Sequence, residues 1–271
     1  MAFKTFRHFL LCCCAIACTG DADRPDHTHN QLYQYATIDA LLDGVFEGER
    51  TFSELKAKGD FGIGTFNALD GELFINEGKI YRIRHDGKAY PVPDTAKSPL
   101  AVLTFFRPDT VFEIKPAGAF TYGELQERLA RKLNKNSAYA IRMSGDFISI
   151  HTRAPAPAAK PYPSLLEHLK HHQHTFSFDN VQGTLVGFYV PAFLKRVNVS
   201  GPHFHFLTSD HREGGHLFDF TARALTVEIS RMRSITVDMP ATAEFMQANL
   251  DVNRDAEVHV VEKGKEELVD D

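Results

Sequence analysis

Residues 182–220 read QGTLVGFYVPAFLKRVNVSGPHFHFLTSDHREGGHLFDF, and this stretch predicts strands joined by a short turn. Side chains alternate between the two faces of a strand, so His203 and His205 should point to the same side. Two adjacent glycines in the turn allow a sharp return of the chain, which would bring His216 onto a neighbouring strand. The stretch therefore predicts a β-hairpin that gathers three histidines. His211 lies in the turn and is expected to be exposed.

These three histidines form a candidate metal site. All four cysteines lie within the first 18 residues, so a metal held by the rest of the chain needs His, Asp or Glu as ligands. Three imidazoles that leave coordination positions open are typical of catalytic zinc, whereas structural zinc usually has four protein ligands. Alternating histidines also occur on exposed strands that bind no metal, and the residues alone leave that alternative open. A second histidine-rich segment, HLKHHQH at residues 168–174, has no regular spacing and is expected to be solvated.

Beyond the hairpin, the sequence alternates strand-like segments with short helices. Residues 59–83 are punctuated by glycines and predict strands with tight turns, and residues 121–133 predict an amphipathic helix. AYAIRMSGDFISIHTR at residues 138–153 predicts a second hairpin that turns at Ser144–Asp146, and AEVHVVEK at residues 256–263 predicts a final strand. The expected fold class is α+β (mixed α/β), two-lobed and β-rich, with mixed or antiparallel sheets flanked by helices.

The clearest internal boundary is the proline-rich segment APAPAAKPYPSL at residues 154–165. A chain of 271 residues is long enough for one large core or two modest ones. The boundary predicts an N-terminal α/β lobe at residues 32–160 and a C-terminal β-rich lobe at residues 161–271, which carries the histidine hairpin.

The amino terminus predicts export. Residues 1–18 place two basic side chains before a short apolar run that ends in small residues, which is the layout of a secretory signal peptide. The segment AIAC ending at Cys18 is similar to a lipobox, in which the cysteine is lipidated, although Ala15 stands where leucine is usual. Residues 19–31 are polar and predict a flexible tether. The expected protein is periplasmic or tethered to a membrane through a lipidated Cys18; it is cytoplasmic if the leader is not used.

Charge and hydropathy argue against a nucleic-acid partner and against a membrane-spanning segment after residue 20. A formal net charge of −5 with mixed signs lacks the basic stripe of a nucleic-acid-binding surface, so no nucleic-acid partner is expected. No stretch after residue 20 is long and apolar enough to span a bilayer.

Several blocks of the sequence resemble the alpha-acetolactate decarboxylase family. They occur in the family's order and are residues 182–220, LLDGVFEGERTFSELKAKGDFGIGTFNALDGEL at residues 41–73, TFFRPD at residues 104–109, and YAIRMSGDFISIHTRAPAPAAKPYPSL at residues 139–165. The resemblance spans about Tyr33 to Glu262. It implies a two-lobed α/β homodimer that uses zinc to convert acetolactate to acetoin and carbon dioxide.

The resemblance also implies which residues act. The family's zinc-binding histidines fall on His203, His205 and His216, and its other functional positions fall on Glu72 in DGE, Arg153 in IHTR, Glu262 in VVEK and Thr65 in GDFGIGTF. The match of Glu262 rests on its spacing from the histidines, within a short segment. Arg142 is an alternative to Arg153, because it belongs to the same predicted hairpin.

Each of these residues has an expected role. Zinc would bind the ketone and hydroxyl oxygens of (S)-2-acetolactate, and Arg153 would bind the carboxylate that leaves as carbon dioxide. An enediolate would then be protonated on one face to give (R)-acetoin; Glu72 is the preferred donor and Arg153 the alternative. Glu262 would bind the metal or orient bound water, and Thr65 would contact the substrate.

Two other functions fit the histidines. A zinc-dependent hydrolase of a small carboxylated substrate could use the same metal site, but we find no oxyanion-binding arrangement that it would need. A non-catalytic zinc- or ligand-binding module at the cell surface is the other alternative. The presence of Glu72 and Arg153 together with the three histidines argues against that module.

Overall fold

The computed structural model describes Met1 and residues 30–263. The predicted signal peptide, Cys18 and the predicted tether up to residue 29 lie outside the described residues. Strand β1 begins at Gln31, the last residue of the predicted tether. Within the part of the chain that is described, no helix has both the length and the apolar character needed to cross a membrane.

A seven-stranded mixed sheet forms one layer of the molecule. Its strands are β1 (Gln31–Tyr35), β2 (Phe61–Thr65), β3 (Glu72–Asn76), β4 (Lys79–Ile83), β5 (Ala89–Pro91), β6 (Ala101–Thr104) and β13 (Ser234–Asp238). They lie in the order β13–β1–β6–β2–β3–β4–β5, and only the β1–β13 pair is parallel.

A six-stranded antiparallel sheet forms the second layer. Its strands are β7 (Thr110–Ile114), β8 (Phe120–Thr121), β9 (Tyr139–Pro155), β10 (Gln173–Val190), β11 (Gly201–Thr208) and β12 (Gly214–Arg231). Strand β11 pairs with both β10 and β12, and β9 pairs with both β10 and β12, so these four strands close into a ring. Three residue pairs, 205 with 216, 206 with 215 and 207 with 214, join β11 to β12.

Buried apolar side chains form three clusters. Strands of both sheets meet in one core, where the ring of Phe61 lies 5.7 Å from that of Phe188 in an edge-on arrangement. The other face of the first sheet packs against helical residues such as Leu42 and Leu169, and the second sheet buries Leu125 and its neighbours. The helices are α1 (Ile38–Leu42), α2 (Phe52–Leu55), α3 (Tyr122–Lys132), α4 (Leu165–His172), α5 (Ala243–Gln247) and α6 (Asp255–Lys263).

The predicted fold class is confirmed, since mixed and antiparallel sheets are flanked by helices. The sheets exchange strands along the sequence: β7, β8 and β9 precede residue 160 but belong to the second sheet, and β13 returns to the first. The division of the chain into lobes at that residue stays a prediction.

The predicted hairpin turn at Ser144–Asp146 is wrong, because β9 runs straight through it as one 17-residue strand. All three residues pair with β10 on one side and β12 on the other. Gly145 is required there by a close approach: a Cβ at this position would lie 2.0 Å from the carbonyl oxygen of Ala224. Glycine in a strand often marks such an approach of two backbones, which a sequence reading can mistake for a turn.

Two further expectations are wrong, because helices form in the segments concerned. The predicted final strand at residues 256–263 is helix α6, whose Val258 and Val261 pack on the core beside α4. Tertiary packing thus overrides the strand preference of its valines. The segment predicted to be solvated contains part of α4, and His168 within it is 3% exposed and bonds the carbonyl oxygen of Ala156 through Nε2 at 2.8 Å.

Candidate functional site

Strand register places three of the predicted site residues in one row. His205 on β11 is directly opposite His216 on β12, and His216 is directly opposite Arg153 on β9. Side chains opposite each other in antiparallel strands share a face and have Cβ atoms about 5 Å apart. The row therefore brings two imidazoles and a guanidinium together on the second sheet.

His203 completes a histidine cluster, because it lies two residues before His205 on the same face of β11. The ring centroids of the three histidines are 4.8 to 5.4 Å apart. One nitrogen from each of His203, His205 and His216 lies within 4.8 Å of the others. Nε2 of His203 is 3.2 Å from Nδ1 of His216. The alternation of the strand thus has the outcome that the sequence predicts.

The histidines have the protonation state that a metal ligand needs. Burial and, to a lesser extent, the positive charge of Arg153 together lower the pKa of His203 to about 3. Burial also holds the pKa values of His205 and His216 well below the ordinary histidine value. Nδ1 of His205 lies 2.7 Å from the carbonyl oxygen of Leu73, to which it donates, so Nε2 keeps its lone pair. Neutral imidazoles with free lone pairs fit a divalent metal such as zinc.

The first sheet contributes Thr65 and Glu72 to the same place. These two residues are directly opposite each other on β2 and β3. Oε2 of Glu72 lies 3.4 Å from Nε2 of His205, and the hydroxyl of Thr65 donates to the carbonyl of Gly71 at 2.8 Å. The carboxyl group of Glu72 therefore faces the histidine cluster from across the boundary between the sheets.

Glu262 reaches the cluster from helix α6. Its Oε2 lies 3.7 Å from Nε2 of His203 and 3.6 Å from Nε2 of His216. The element predicted to carry this residue is a strand, whereas the structure places it on a helix, with its carboxyl group beside the histidines.

Both carboxyl groups are held in a dry environment. Burial raises the pKa of Glu72 to about 7; the charge of Arg153 opposes this rise and that of Glu262 adds to it. Burial likewise raises the pKa of Glu262 to about 7, again opposed by Arg153. Groups with such pKa values exchange protons near neutral pH, which suits general acid or base catalysis.

Arg153 carries a buried positive charge with little to balance it. Arg153 is 4% exposed, and its Nε is buried without a hydrogen-bond partner. Nη1 donates to Oε1 of Gln173 at 3.2 Å, and the guanidinium lies 5.7 Å from the ring centroid of Phe218. Among the residues that the structure describes, no carboxylate lies within 4.0 Å of this guanidinium. The arrangement is suited to binding an anion.

The seven predicted site residues line one cavity of about 50 Å³ between the two sheets; they are Thr65, Glu72, Arg153, His203, His205, His216 and Glu262. Its remaining wall is mostly apolar and comes largely from α1, α4 and α6, through Ile38, Leu41, Leu165, Leu169 and Val261. A wider cavity of about 380 Å³ lies on the other side of Glu262 and is lined also by His203 and His216. The inner cavity is thus small and combines an apolar wall with the histidines, the two glutamates and Arg153.

Other candidates from the sequence lie elsewhere. His211 is exposed and contacts the hydroxyl of Tyr81 at 3.1 Å. Arg142, the alternative to Arg153, forms a two-pronged ion pair with Glu228 at 2.6 and 2.9 Å and does not line the cavity. Histidines 171, 172 and 174 are exposed.

The sequence reading missed two features of the site. Gln173, which bonds Arg153, stands in the histidine-rich segment that was expected to be solvated. The carbonyl of Leu73, which orients His205, has no signal in the sequence because any residue offers a carbonyl group. A hydrogen-bond partner for a buried arginine is a general requirement, but sequence spacing does not say which residue supplies it.

Comparison with known proteins finds relatives along most of the chain. A family model described as alpha-acetolactate decarboxylase matches residues 32–252, a range that contains six of the seven residues and ends before Glu262. A protein named alpha-acetolactate decarboxylase from Bacillus licheniformis is 43% identical over 228 residues, which cover 83% of this chain and 88% of that protein. One of the same name from Methylococcus capsulatus is 40% identical over 245 residues, covering 90% of this chain and 93% of the relative.

A solved structure is similar to this chain in both fold and sequence. The crystal structure of alpha-acetolactate decarboxylase from Bacillus subtilis strain 168 superimposes with a TM-score of 0.83 at 41% identity, covering 87% of this chain and 100% of that chain. The similarities extend over most of the length of both proteins in each comparison. The chain therefore belongs to the alpha-acetolactate decarboxylase family.

Proposed function

We propose that this protein is an acetolactate decarboxylase that converts (S)-2-acetolactate to (R)-acetoin and carbon dioxide with the help of a zinc ion. The observation that carries the proposal is the meeting of three histidines, two of them buried and one partly buried, with a buried arginine whose Nε has no hydrogen-bond partner, in one cavity. The family to which the chain belongs supports the same reaction.

His203, His205 and His216 would hold the metal, with Glu262 as a further ligand or as a carboxylate that orients bound water. When bound, zinc supplies a Lewis acid that polarises the substrate ketone and stabilises the negative charge that develops there. The three imidazoles leave room for substrate oxygens, because they occupy no more than three coordination positions.

Arg153 would bind the carboxylate that is lost. A guanidinium offers a planar pair of N–H donors that matches the two oxygens of a carboxylate. Binding an anion here also satisfies a charge that is otherwise buried with one neutral hydrogen bond, which is costly on its own. When the C–C bond breaks, carbon dioxide departs and its bonding electron pair passes into the ketone, leaving an enediolate of the substrate.

Glu72 would deliver the proton that completes the reaction, at the carbon that carried the carboxylate. It faces the cluster from the first sheet, whereas Arg153 belongs to the second. Because the donor approaches from one sheet only, one face of the planar enediolate receives the proton, and a single enantiomer results. Thr65, directly opposite Glu72, would contact the substrate on the same side.

The experiment that tests the proposal is turnover of racemic acetolactate by purified protein. Metal-replete protein should release carbon dioxide and acetoin in equal amounts, and chelator-treated protein should not until zinc is restored. The chirality of acetoin is read by chiral gas chromatography. Absence of turnover by metal-replete, folded protein would contradict the proposal, and cleavage of small esters or amides under the same conditions would favour the hydrolase alternative.

We also propose that the protein is exported and tethered to a membrane through Cys18. The support is the basic and apolar layout of residues 1–18 and the AIAC segment. Labelled palmitate should be incorporated by the wild-type chain and not by Cys18→Ser. Export without lipidation would instead leave both chains unlabelled in the periplasmic fraction.

A homodimer is proposed on the basis of family membership. Light scattering of the purified protein behind a sizing column should give about twice the chain mass of 30.4 kDa. A mass equal to that of one chain at all concentrations would contradict it.

A further inference from the structure

We propose that Gln173 is a positioning residue that orients Arg153 through a neutral hydrogen bond and so leaves its full charge available to the substrate carboxylate. The inference rests on the role proposed above for Arg153. It adds a residue that tunes affinity for a carboxylated substrate without touching that substrate.

The register of β9 and β10 explains why Gln173 meets Arg153. Thr175 is directly opposite Arg153, and Gln173 is directly opposite Pro155. Gln173 and Thr175 are two residues apart, so they share the face on which Arg153 and Pro155 lie. Gln173 is therefore the diagonal neighbour of Arg153, at a separation that long side chains can bridge. Its Oε1 accepts from Nη1 of Arg153 at 3.2 Å.

The other arginine of β9 shows what the usual partner of such a group is. Arg142 is bound by both carboxylate oxygens of Glu228, at 2.6 and 2.9 Å, and lies 3.0 Å from a carboxylate oxygen of Glu77. Its charge is thus already matched by carboxylates. At Arg153, the side chain that accepts a hydrogen bond is an amide, which fixes the direction of the guanidinium but contributes no negative charge.

The neutrality of Gln173 matters because a carboxylate in its place would compete with the substrate. Glutamate has nearly the same shape as glutamine and would form a charge-assisted hydrogen bond at the same position. Such bonds contribute substantially more than neutral ones in buried sites. A substrate carboxylate would then have to displace an internal ion pair, and its apparent affinity would fall.

The test compares Gln173→Glu with Gln173→Met and with the wild type, all in metal-replete full-length protein. Four quantities are measured: KM and kcat for acetolactate, and calorimetric Kd values for 2-hydroxy-2-methylpropanoate and for its neutral amide. The acid has a carboxylate beside a hydroxyl-bearing carbon and no ketone, so it binds without reacting. Gln182→Glu is the matched control, because Gln182 is exposed, lies on the same strand and bonds Asp146 far from the cavity.

Gln173→Glu should raise KM and the Kd of the acid about 10- to 100-fold, with kcat changed less and the Kd of the amide within about twofold of wild type. Gln173→Met should raise KM by a smaller factor, because Arg153 loses its orientation but keeps its charge. Gln182→Glu should leave all four quantities unchanged.

Equal effects of the Glu and Met variants, or equal weakening of acid and amide, would overturn the proposal in favour of a packing role. If Gln173→Glu does not fold, an unchanged KM and acid Kd in Gln173→Met would overturn it too. Failure of the function proposed above is recognised separately, because the wild-type protein would then form no acetoin, whereas failure of this inference leaves wild-type turnover intact.

Discussion

Replacing His205 by glutamine is expected to remove most of the stabilisation that zinc gives to the folded protein. His205 is 1% exposed and directly opposite His216, so its loss takes one of three imidazoles from the centre of the cluster. Glutamine is chosen because its amide N–H can still donate to the carbonyl of Leu73, the partner of His205. His211→Gln is the matched control, since His211 belongs to the same hairpin but is exposed and contacts Tyr81.

The magnitude follows from linkage between binding and folding. A ligand that binds only the folded state stabilises it by about 2.7 kcal/mol at 100 times its Kd and about 4.1 kcal/mol at 1,000 times. For a domain of the size of residues 30–263, 1 kcal/mol shifts Tm by about 2–4 °C. Zinc should therefore raise the Tm of the metal-stripped wild type and of His211→Gln by about 5 to 16 °C over that range.

The assay is thermal unfolding followed by circular dichroism, with zinc added stepwise to metal-stripped protein. Metal content after gel filtration is measured by mass spectrometry on the same samples. His205→Gln should retain far less zinc and show only a small fraction of the wild-type shift. A zinc-dependent shift in His205→Gln equal to that of the wild type would refute the reasoning that His205 is a ligand.

Three more predictions concern single residues. Glu72→Gln should lower kcat for acetoin formation about 100- to 10,000-fold while zinc content stays unchanged; retention of both the rate and the enantiomeric purity would exclude Glu72 as proton donor. Burial lowers the pKa of His168 in the folded state. As the pH falls below about 6.5, the unfolded chain therefore takes up this proton more readily than the folded chain, and the free energy of unfolding decreases by up to about 1.4 kcal/mol for each unit by which the pH is lowered. In urea titrations from pH 7.5 to 5, His168→Gln should show a shallower loss, and identical slopes would contradict this. Gly145→Ala should destabilise the fold by about 3 kcal/mol because its Cβ would collide with Ala224, whereas Gly118→Ala, whose Cβ meets nothing within 4 Å, should change stability by less than about 0.5 kcal/mol; equal midpoints in urea would show that β9 can shift to accept the methyl group.

The part of the site that could be predicted is the part set by local periodicity. Alternation in β11 puts His203 and His205 on one face, whereas the two glycines expected in the turn before His216 are the first residues of β12. The second of these, Gly215, has φ of 151° and a Cβ there would lie 2.5 Å from the carbonyl oxygen of Arg153, so the position admits only glycine without strain. Both glycines thus lie in β12 and not in the turn, and what requires them is the close approach of neighbouring backbones: a Cβ on Gly214 would lie 2.1 Å from the carbonyl oxygen of Phe206.

The part that could not be predicted depends on contacts between distant segments. Gly145 has the sequence context of a turn, and only the approach of β12 shows that it belongs to a continuous strand. Residues 256–263 have valines typical of a strand, yet the space beside α4 and the first sheet is filled by a helix. Gln173 contacts Arg153 only because β10 pairs with β9 in one particular register. Register between distant strands is set by the whole core and not by either segment alone.

The closure of the four-stranded ring has a consequence for the exchange of a bound metal. One of the three residue pairs that join β11 to β12 is His205 with His216, so the seam of the ring runs through the candidate metal site. Local opening of this seam would separate His205 from His216, and an ion bound by both histidines, as proposed above, would in turn keep the seam closed. The lifetime of such an ion in the protein would then depend on the rate at which β11 and β12 separate locally, as well as on the strength of coordination. Any substitution that loosens these backbone pairs shortens that lifetime, even when every ligand is kept.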